Sequence, residues 1–347
     1  MDFFTPVVKK DKLHHNFIHL ASNQYLKKVL NEWGKGFQDR DGKFVKEFQM
    51  TFNSSFWELY LYALLSKKSL TIDFSHETPD FIVVDEEKQT KYIIEATIAS
   101  NALNRPAEWQ QEEKIEFLTK EHSTEEIKKI KLEATVRICN SVSSKHTKYK
   151  SGYNSLDYVK DKPFIVALAS FDSFLFYKYG VDPILRALYG VDDIFYDYKG
   201  EVVEKVIDKI EKDNGAEIRV GLFRNDEFKE ISAILYSCTA TYGKLEAMSC
   251  RKNKKNLIFS TMKYNDYGTE PIINGEKGED YEETLSDGLY LFLNPFAVNP
   301  LSQDDIHDLS DSKTSIYYDS NNVKMEHGFL FVREIIRIKK QNKDNNL

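Results

Sequence analysis

Cysteine is scarce in this chain of 347 residues, and the three that occur, Cys139, Cys238 and Cys250, are odd in number and widely spaced. Such a set predicts neither a disulfide framework nor a zinc site. Long hydrophobic runs are also missing, since none approaches the roughly 20 residues that cross a bilayer. The opening segment, MDFFTPVVKK, places its positive charges after the apolar residues, which is the wrong order for a signal peptide. We therefore expect a cytoplasmic protein with no membrane partner.

Two sequence signatures of enzymes are absent as well. The chain contains no P-loop and no G-x-S-x-G elbow, so serine hydrolysis has little support. The net charge of -7 argues against a basic coat over the whole surface, but it leaves room for a local basic groove. Hydrophobic residues make up 41% and charged residues 30%, which is ordinary for a globular protein long enough for two domains.

The first half of the chain shows a clear order of helical and strand patterns. Asn53, Ser54 and Ser55 are good N-cap residues before the apolar run FWELYLYALL. Ser123 and Glu126 form a capping box that opens a long helix. The predicted elements are a helix over 24–33, a helix over 56–65, strands over 70–74, 80–85 and 91–99, the long helix from 124, and a buried strand over 163–169.

The second half gives a weaker pattern. It predicts helices over 182–188 and 202–212, strands over 217–222, 231–236 and 289–293, and a strand or a final helix over 328–338. The stretches 251–255 and 264–283 are predicted as loop or insertion.

Residues 80 to 95 predict a hairpin that turns at Glu87 and Lys88. In this register Asp80 faces Glu95, Ile82 faces Ile93, and Val84 faces Lys91. Directly opposed Cβ atoms lie about 4.5–5.5 Å apart, so two carboxylates meet. Their mutual repulsion is relieved by a divalent cation such as Mg²⁺, which prefers oxygen ligands. The alternative is an edge hairpin whose acids face water.

Glu58 is a third acid in an unusual setting. It is the only ionisable group of FWELYLYALL apart from the tyrosines, and apolar residues surround it on every helical face. A buried carboxylate needs a partner. Either Glu58 forms a structural salt bridge with a nearby lysine or arginine, or it is the third member of one acidic site with Asp80 and Glu95.

Taken together, these features resemble the PD-(D/E)XK superfamily of restriction-endonuclease-like nucleases. The order helix–β–β–β–helix–β carries Glu58 on the first helix, Pro79–Asp80 at the second strand and Glu95-x-Thr97 on the third. The runs FVKEFQMTFNSSFWELYLYALL, SHETPDFIVV and YIIEAT look like a bacterial branch of this group. The resemblance covers roughly residues 45 to 170. It implies an α/β fold with a nuclease-like domain over 1–195 and an α+β region over 196–347.

The resemblance further implies metal-dependent phosphodiester cleavage. Asp80 and Glu95 are expected to bind Mg²⁺, with Mn²⁺ as the alternative ion. Glu58 is expected to assist a second ion or a metal-bound water, and the carbonyl of Ala96 is a further ligand. The sequence departs from the family at Thr97, where the pattern has lysine, because a hydroxyl supplies no cation. Another lysine then substitutes, or activity is weak or lost.

Lys145 is the candidate for this substitution. With Ile130 at zero on the long helix, Lys145 falls near about 60°, inside the apolar stripe. Arg137, Ser141 and Lys148 fall within about 20° of zero, so these three side chains and Lys145 are predicted to face the sheet. Arg137, Ser141 and Lys148 are candidates for nucleic-acid contacts there. The alternative is that the helix ends after Val142 and the following basic run is a solvated loop.

Other basic residues are candidate phosphate contacts. They are Arg251 and Lys252 in the run RKNKK, and Arg337, Lys339 and Lys340 near the C-terminus. Solvated surface is the alternative reading of such runs. His15 and His19 have helical i, i+4 spacing, which indicates a surface helix more readily than a metal site.

The sequence thus predicts a Mg²⁺-dependent endonuclease whose partner is nucleic acid, DNA in preference to RNA. By analogy alone, restriction or phage defence is the expected setting. The rival hypothesis is a catalytically silent relative that binds nucleic acid or a protein partner, and Thr97 favours it. A homo-oligomer is left open.

Overall fold

The computed structural model describes residues 1–102, 105–196, 202–212 and 215–338. These residues form ten α-helices, separated in places by short 3₁₀ turns. The helices are α1 (His15–Ala21), α2 (Gln24–Trp33), α3 (Phe44–Met50), α4 (Phe52–Lys67), α5 (Gln111–Thr119), α6 (Thr124–Ser151), α7 (Asp182–Tyr189), α8 (Tyr242–Met248), α9 (Arg251–Lys254) and α10 (Gln303–Leu309).

The strands build one large sheet and three small ones. They are β1 (Thr71–Asp73), β2 (Phe81–Val84), β3 (Thr90–Ser100), β4 (Phe164–Phe171), β5 (Val191–Tyr196), β6 (Val202–Val206), β7 (Lys209–Glu211), β8 (Glu217–Arg219), β9 (Ala233–Ser237), β10 (Leu257–Lys263), β11 (Ile272–Lys277), β12 (Leu289–Leu293), β13 (Thr314–Tyr317), β14 (Val323–Lys324) and β15 (Leu330–Arg337). The eight-stranded sheet has the order β1-β2-β3-β4-β9-β12-β13-β14, and β11-β10-β15 form a second sheet.

The large sheet is mixed and takes strands from both halves of the chain. The β1, β2 and β3 strands pair antiparallel, and β3, β4 and β9 pair parallel. Strand β12 is antiparallel to β9 and parallel to β13. The chain is therefore a mixed α/β protein. The boundary near residue 195 stays a prediction, and strands from both sides of it share this sheet.

The hairpin of β2 and β3 has the predicted register over most of its length. Phe81 pairs with Ile94, and Ile82 pairs with Ile93. The prediction is wrong at Val84, which pairs with Thr90 instead of Lys91, because a β-bulge follows Val83. The bulge lies at the turn, so it leaves the pairing beside Asp80 and Glu95 unchanged.

The two faces of this sheet carry different helices. Phe81, Val83 and Ile94 pack into the hydrophobic cluster that contains α4, whereas Ile82 and Ile93 pack into the cluster that contains α6. Helix α4 is buried on nearly all sides, which explains its lack of a polar face. The capping box of Ser123 and Glu126 is present at the start of α6, as predicted.

Several predicted boundaries are confirmed and others are wrong. The helix over 24–33 and the strand over 289–293 have the predicted bounds. Asn53 and Ser55 do not cap α4, because the helix begins earlier, after Thr51, and both side chains are buried inside it. The alternative that α6 ends after Val142 is also wrong, since the helix runs to Ser151.

The region after residue 196 contains the largest error. The predicted helix over 202–212 is wrong: β6 and β7 occupy most of this range and pair with β5 and β8. Its spacing of apolar residues suits a helix, but pairing with neighbouring strands outweighs that weak preference. The predicted loop over 251–255 contains the short helix α9, the predicted loop over 264–283 contains β11, and the segment 328–338 contains a strand, β15.

No helix among the described residues is long and apolar enough to span a membrane.

Candidate functional site

Glu95 lies in the middle of β3 with a side chain that is 1% exposed. Its Oε1 accepts hydrogen bonds from Lys145 Nζ and from Lys148 Nζ, each at 2.8 Å. Its Oε2 accepts a hydrogen bond from the Tyr153 hydroxyl at 3.0 Å. Burial alone would raise the pKa of Glu95, but the two lysines outweigh burial and the pKa is lowered. Glu95 is therefore an anion held by two cations and a phenol.

Asp80 directly precedes β2 and lies beside Glu95. Its Oδ2 accepts a hydrogen bond from the backbone N–H of Ala96 at 2.7 Å. Strand alternation from Phe81 and Ile82 places Asp80 on the same face of the sheet as Glu95. Burial, and then the negative charge of Glu95, raise the pKa of Asp80. The charges of Lys145 and Lys148 oppose this shift, so the position brings two carboxylates and two cations together.

Glu58 lies on α4, which packs against the other face of the sheet, and its link to this pair is electrostatic. Burial, and then the charge of Asp80, raise the pKa of Glu58 to about 8, although Arg40 opposes the shift. The charge of Glu95 contributes in the same direction. The three predicted acids therefore influence one another electrostatically, and Glu58 carries a proton at neutral pH.

The chain segment before Asp80 is held by two side chains. Arg40 Nη1 donates hydrogen bonds to the carbonyls of His76 and Pro79, at 2.8 and 2.9 Å. The Tyr158 hydroxyl donates to the carbonyl of Thr78 at 2.8 Å, and its ring stacks on His76 at 3.7 Å. These contacts fix the backbone from which the Asp80 carboxylate projects.

Helix α6 faces β3 along the side that its helical phase predicts. Arg137 Nε donates to the carbonyl of Ser100 at 2.7 Å, and Ser141 Oγ donates to the carbonyl of Ile98 at 3.1 Å. One turn further on, Lys145 and Lys148 reach Glu95. The contacts of Arg137 and Ser141 are with the protein's own backbone, so their role in nucleic-acid binding stays a prediction, as does that of Lys148.

Thr97 and Ala96 follow Glu95 on the same strand. Thr97 is half-buried, and alternation points its side chain to the face of Glu95. Lys145, from α6, places a positive charge beside Glu95, and its substitution for a lysine at Thr97 stays a prediction. The N–H of Ala96 is bound to Asp80, and the proposed ligand role of its carbonyl stays a prediction.

The other basic candidates lie apart from the three acids. Arg251 and Lys252 are exposed on α9, and among the described residues no hydrogen bond or ion pair joins them to Glu58, Asp80 or Glu95. Arg337 forms an ion pair with Glu246. Lys339 and Lys340 lie outside the described residues.

The donor set decides which metals this site suits. Within the described ranges, no group of three or more His, Cys, Asp and Glu side chains is arranged to hold a metal ion. Mg²⁺ commonly needs only one or two carboxylates, since water and substrate phosphate complete its shell. Two adjacent carboxylates on one face of the sheet fit that ion. Metal binding at Glu95 has to compete with Lys145 and Lys148.

The chain was compared with known proteins, and no family model, curated protein or solved structure gives a significant match. The residues themselves therefore carry the functional argument.

Sequence reasoning did not find Tyr153 or Arg40. Tyr153 follows the end of α6, where the chain turns at Gly152 and brings the phenol back to Glu95. Arg40 acts from a segment between α2 and α3. Neither residue belongs to a motif, so no local signal marks it.

Proposed function

We propose that the chain is a metal-dependent endonuclease and that Asp80 and Glu95 form its metal site. The observation that carries the proposal is the position of Lys145, whose Nζ lies 2.8 Å from Glu95 Oε1. The sequence lacks a lysine at Thr97, and a lysine from α6 supplies the missing cation beside the two acids. An acid pair with a lysine at hydrogen-bond distance suits phosphodiester hydrolysis.

The arrangement of strands supports the resemblance to restriction-endonuclease-like nucleases. Helix α4 is followed by the antiparallel strands β1, β2 and β3, and α6 is followed by β4, which pairs parallel with β3. This is the order that the sequence predicts for that fold. The proposed core therefore comprises α4 to β4, with Glu58, Asp80 and Glu95 at its centre.

Each side chain has a distinct role in the proposed mechanism. Asp80 and Glu95 would hold Mg²⁺ or Mn²⁺, together with the Ala96 carbonyl. The bound ion would supply an acidified water and offset charge on the phosphate. Lys145 would stabilise the negative charge that develops on the phosphate. Lys148, with a side chain 48% exposed, would contact the entering backbone.

Glu58 contributes through its proton. In the metal-free site its carboxyl is neutral at pH 7, because its pKa is about 8. Positive charge added near Asp80 would lower that pKa and release the proton. Glu58 would then act as an anion that assists a second ion or a water.

A panel of nucleic acids tests the proposal. Single- and double-stranded DNA and RNA are incubated with Mg²⁺, Mn²⁺ or EDTA, using wild type, Asp80→Asn and Glu95→Gln. We expect cleavage with metal, DNA as the preferred substrate, and loss of cleavage in both variants. Metal-independent cleavage, or cleavage retained in both variants, would refute the site. The setting in restriction or phage defence remains an analogy.

A second candidate function is supported by a specific observation. Both oxygens of Glu95 accept hydrogen bonds from Lys145, Lys148 and Tyr153, and this arrangement neutralises the carboxylate without a metal. A silent relative that binds nucleic acid or a protein partner would keep such a cluster for stability. Binding of nucleic acid without cleavage in any metal would support this second function.

A further inference from the structure

Apart from the site around Glu95, a cleft lies at the junction of α1, α4, α8 and β15. Its volume is about 660 Å³, within the range of small-molecule sites. Apolar rings form part of its wall, including Phe52 and Phe56 of α4 and Phe171 at the end of β4. Asn53, on the same wall, precedes Glu58 by five residues, or about 7.5 Å along the helix axis.

Planar side chains form a continuous row along this cleft. The rings of Trp109 and His15 are 5.7 Å apart and inclined by 13°. The rings of His15 and His19 are 6.4 Å apart and inclined by 9°, and Tyr242 follows at 5.7 Å from His19 with its ring tilted by 41°. His15 and His19 are exposed, and Trp109 and Tyr242 are half-buried. The row is therefore an accessible stacking platform.

A hydrogen-bonding group lies beside the platform. Asn53 Nδ2 donates to Glu108 Oε1 at 2.7 Å, and Asn16 Nδ2 contacts the same oxygen at 3.4 Å. Glu108 is 6% exposed, and burial raises its pKa. A carboxyl and two amides at this position can pair with the polar edge of a planar ring. A buried acid would be costly in an apolar core, so Glu108 is not explained by packing alone.

Positive charge is available on the walls of the same cleft. Lys114 lies near Glu108, whose charge partly offsets the effect of burial on the lysine. Arg337 lies near enough to His19 to help lower the pKa of that imidazole, after burial, the larger cause. Both cations line the cleft, where Arg337 is ion-paired with Glu246, so an anionic group of a ligand would have to compete with that carboxylate. A ligand with a planar ring and an anionic group would meet both features.

We infer that this cleft binds one unpaired nucleotide, with its base stacked on the platform of Trp109, His15, His19 and Tyr242. The base edge meets Glu108 and Asn53, and the phosphate meets Lys114 and Arg337. Such stacking accepts any base, because every base has a π-face. The nucleotide comes either free from solution or as part of a single strand.

This inference does not depend on cleavage at Asp80 and Glu95, since none of the residues involved belongs to that site. Binding measured in EDTA therefore tests the cleft alone. Cleavage without nucleotide binding in the cleft would refute this inference alone. Nucleotide binding without cleavage would refute the proposed nuclease alone.

Tryptophan fluorescence and calorimetry test the inference. Trp33 and Trp57 are 5% and 1% exposed, so quenching by an added nucleotide reports on Trp109. The probes are GMP, UMP, a short single-stranded oligodeoxynucleotide and a blunt duplex, all in EDTA. Saturable quenching is expected with a mononucleotide or with the single strand. Stronger binding of the single strand identifies a strand as the source, and equal binding identifies a free nucleotide.

Variants decide whether binding occurs on the platform. His15→Ala and Trp109→Ala are each expected to weaken binding about tenfold or more. Ile18→Ala is the matched control, because Ile18 is exposed on the same helix and is not part of the cleft wall. If Trp109→Ala unfolds, His15→Ala decides alone, since it changes an exposed ring. Absence of saturable binding by every probe, or unchanged affinity in these variants, overturns the inference.

Discussion

Two buried glutamates in this chain have almost the same partners and different surroundings. Glu95 is bound by Lys145, Lys148 and Tyr153. Glu283 is bound by Arg333, Lys244 and Tyr281. We call these two groups the Glu95 cluster and the Glu283 cluster. In each, a carboxylate that is at most 2% exposed meets two cations and one phenol.

The cations show the difference between the clusters. Lys244 and Arg333 are 0% and 3% exposed, so the Glu283 cluster is closed to water. Lys145 and Lys148 are 20% and 48% exposed, so the Glu95 cluster opens to solvent on one side. Burial alone would raise the pKa of Glu283, but Arg333 and Lys244 hold it at about 2.

The neighbouring acids show a second difference. Asp80 lies beside Glu95, and the charge of Glu95 helps to raise the pKa of Asp80. The Glu95 cluster thus has an additional carboxylate beside it and cations that are partly exposed to solvent. The comparison teaches that a buried carboxylate is not by itself a functional signal. Access to solvent and a second carboxylate separate a site that can exchange its partners from one that only stabilises the fold.

The largest expected effect concerns stability. Glu283→Gln leaves Lys244 and Arg333 buried without a counter-charge and should lower the free energy of unfolding by about 3–5 kcal/mol. The matched change Glu95→Gln should cost about 1 kcal/mol or less, because Lys145 and Lys148 reach solvent. Urea unfolding at neutral pH in EDTA measures both. Equal losses would remove the distinction between the closed and open clusters.

Catalysis gives the next largest effect. Lys145→Ala should lower the single-turnover rate of cleavage by about a hundredfold or more, with little change in substrate affinity, because the cation acts on charge that develops in the transition state. Lys150→Ala, an exposed position on the same helix, is the control. Adding Thr97→Lys to Lys145→Ala should restore part of the rate. An unchanged rate in Lys145→Ala would exclude this lysine from the chemistry.

The pH dependence of stability tests the burial of Glu58 and its interaction with Asp80. The pKa of Glu58 is raised in the folded chain, from 4.5 to about 8, so its contribution to stability is full below pH 4.5 and is lost as pH rises through about 8. In EDTA, the stability of Glu58→Gln should match that of wild type near pH 4.5 and exceed it above pH 8. Parallel stability curves for the two proteins would show that burial and the charge of Asp80 do not raise the pKa of Glu58.

Lys148 gives the smallest effect. It is the more exposed cation of the Glu95 cluster. Burial lowers its pKa, but its interactions with Glu95 and Tyr153 together outweigh burial and raise it. Lys148→Ala should weaken nucleic-acid binding a few-fold and reduce the slope of log affinity against log salt by about 1. Filter binding across a salt series, with Asp80→Asn as the background to prevent cleavage, measures the slope. An unchanged slope would mean that Lys148 serves Glu95 alone.

Local patterns predicted much of the core of this site. The apolar run of α4, the two strands around a charged turn, and the capping box of α6 are short-range signals, and they place Glu58, Asp80 and Glu95 near one another. Helical phase also directs Lys145 toward the sheet. These predictions hold because each depends on residues a few positions apart, whose spacing is fixed by helix and strand geometry.

Long-range contacts could not be predicted in the same way. Glu283 forms ion pairs with Lys244 of α8 and Arg333 of β15, which are distant from it in sequence. No local pattern in the run 264–283 predicts a buried acid. Tyr153 reaches Glu95 only because the chain turns after α6. The segment 202–212 has helical spacing but pairs as strands, since neighbouring strands and not local preference decide its state.

Electron paramagnetic resonance of Mn²⁺ measures whether Asp80 and Glu95 bind a metal ion. The protein is titrated with Mn²⁺ as wild type and as Asp80→Asn, a change that keeps an oxygen to accept the Ala96 N–H. We expect wild type to bind Mn²⁺ at a site that Asp80→Asn loses, and Mg²⁺ to displace it. Wild type that binds no Mn²⁺, or Asp80→Asn that binds it equally well, would contradict the account.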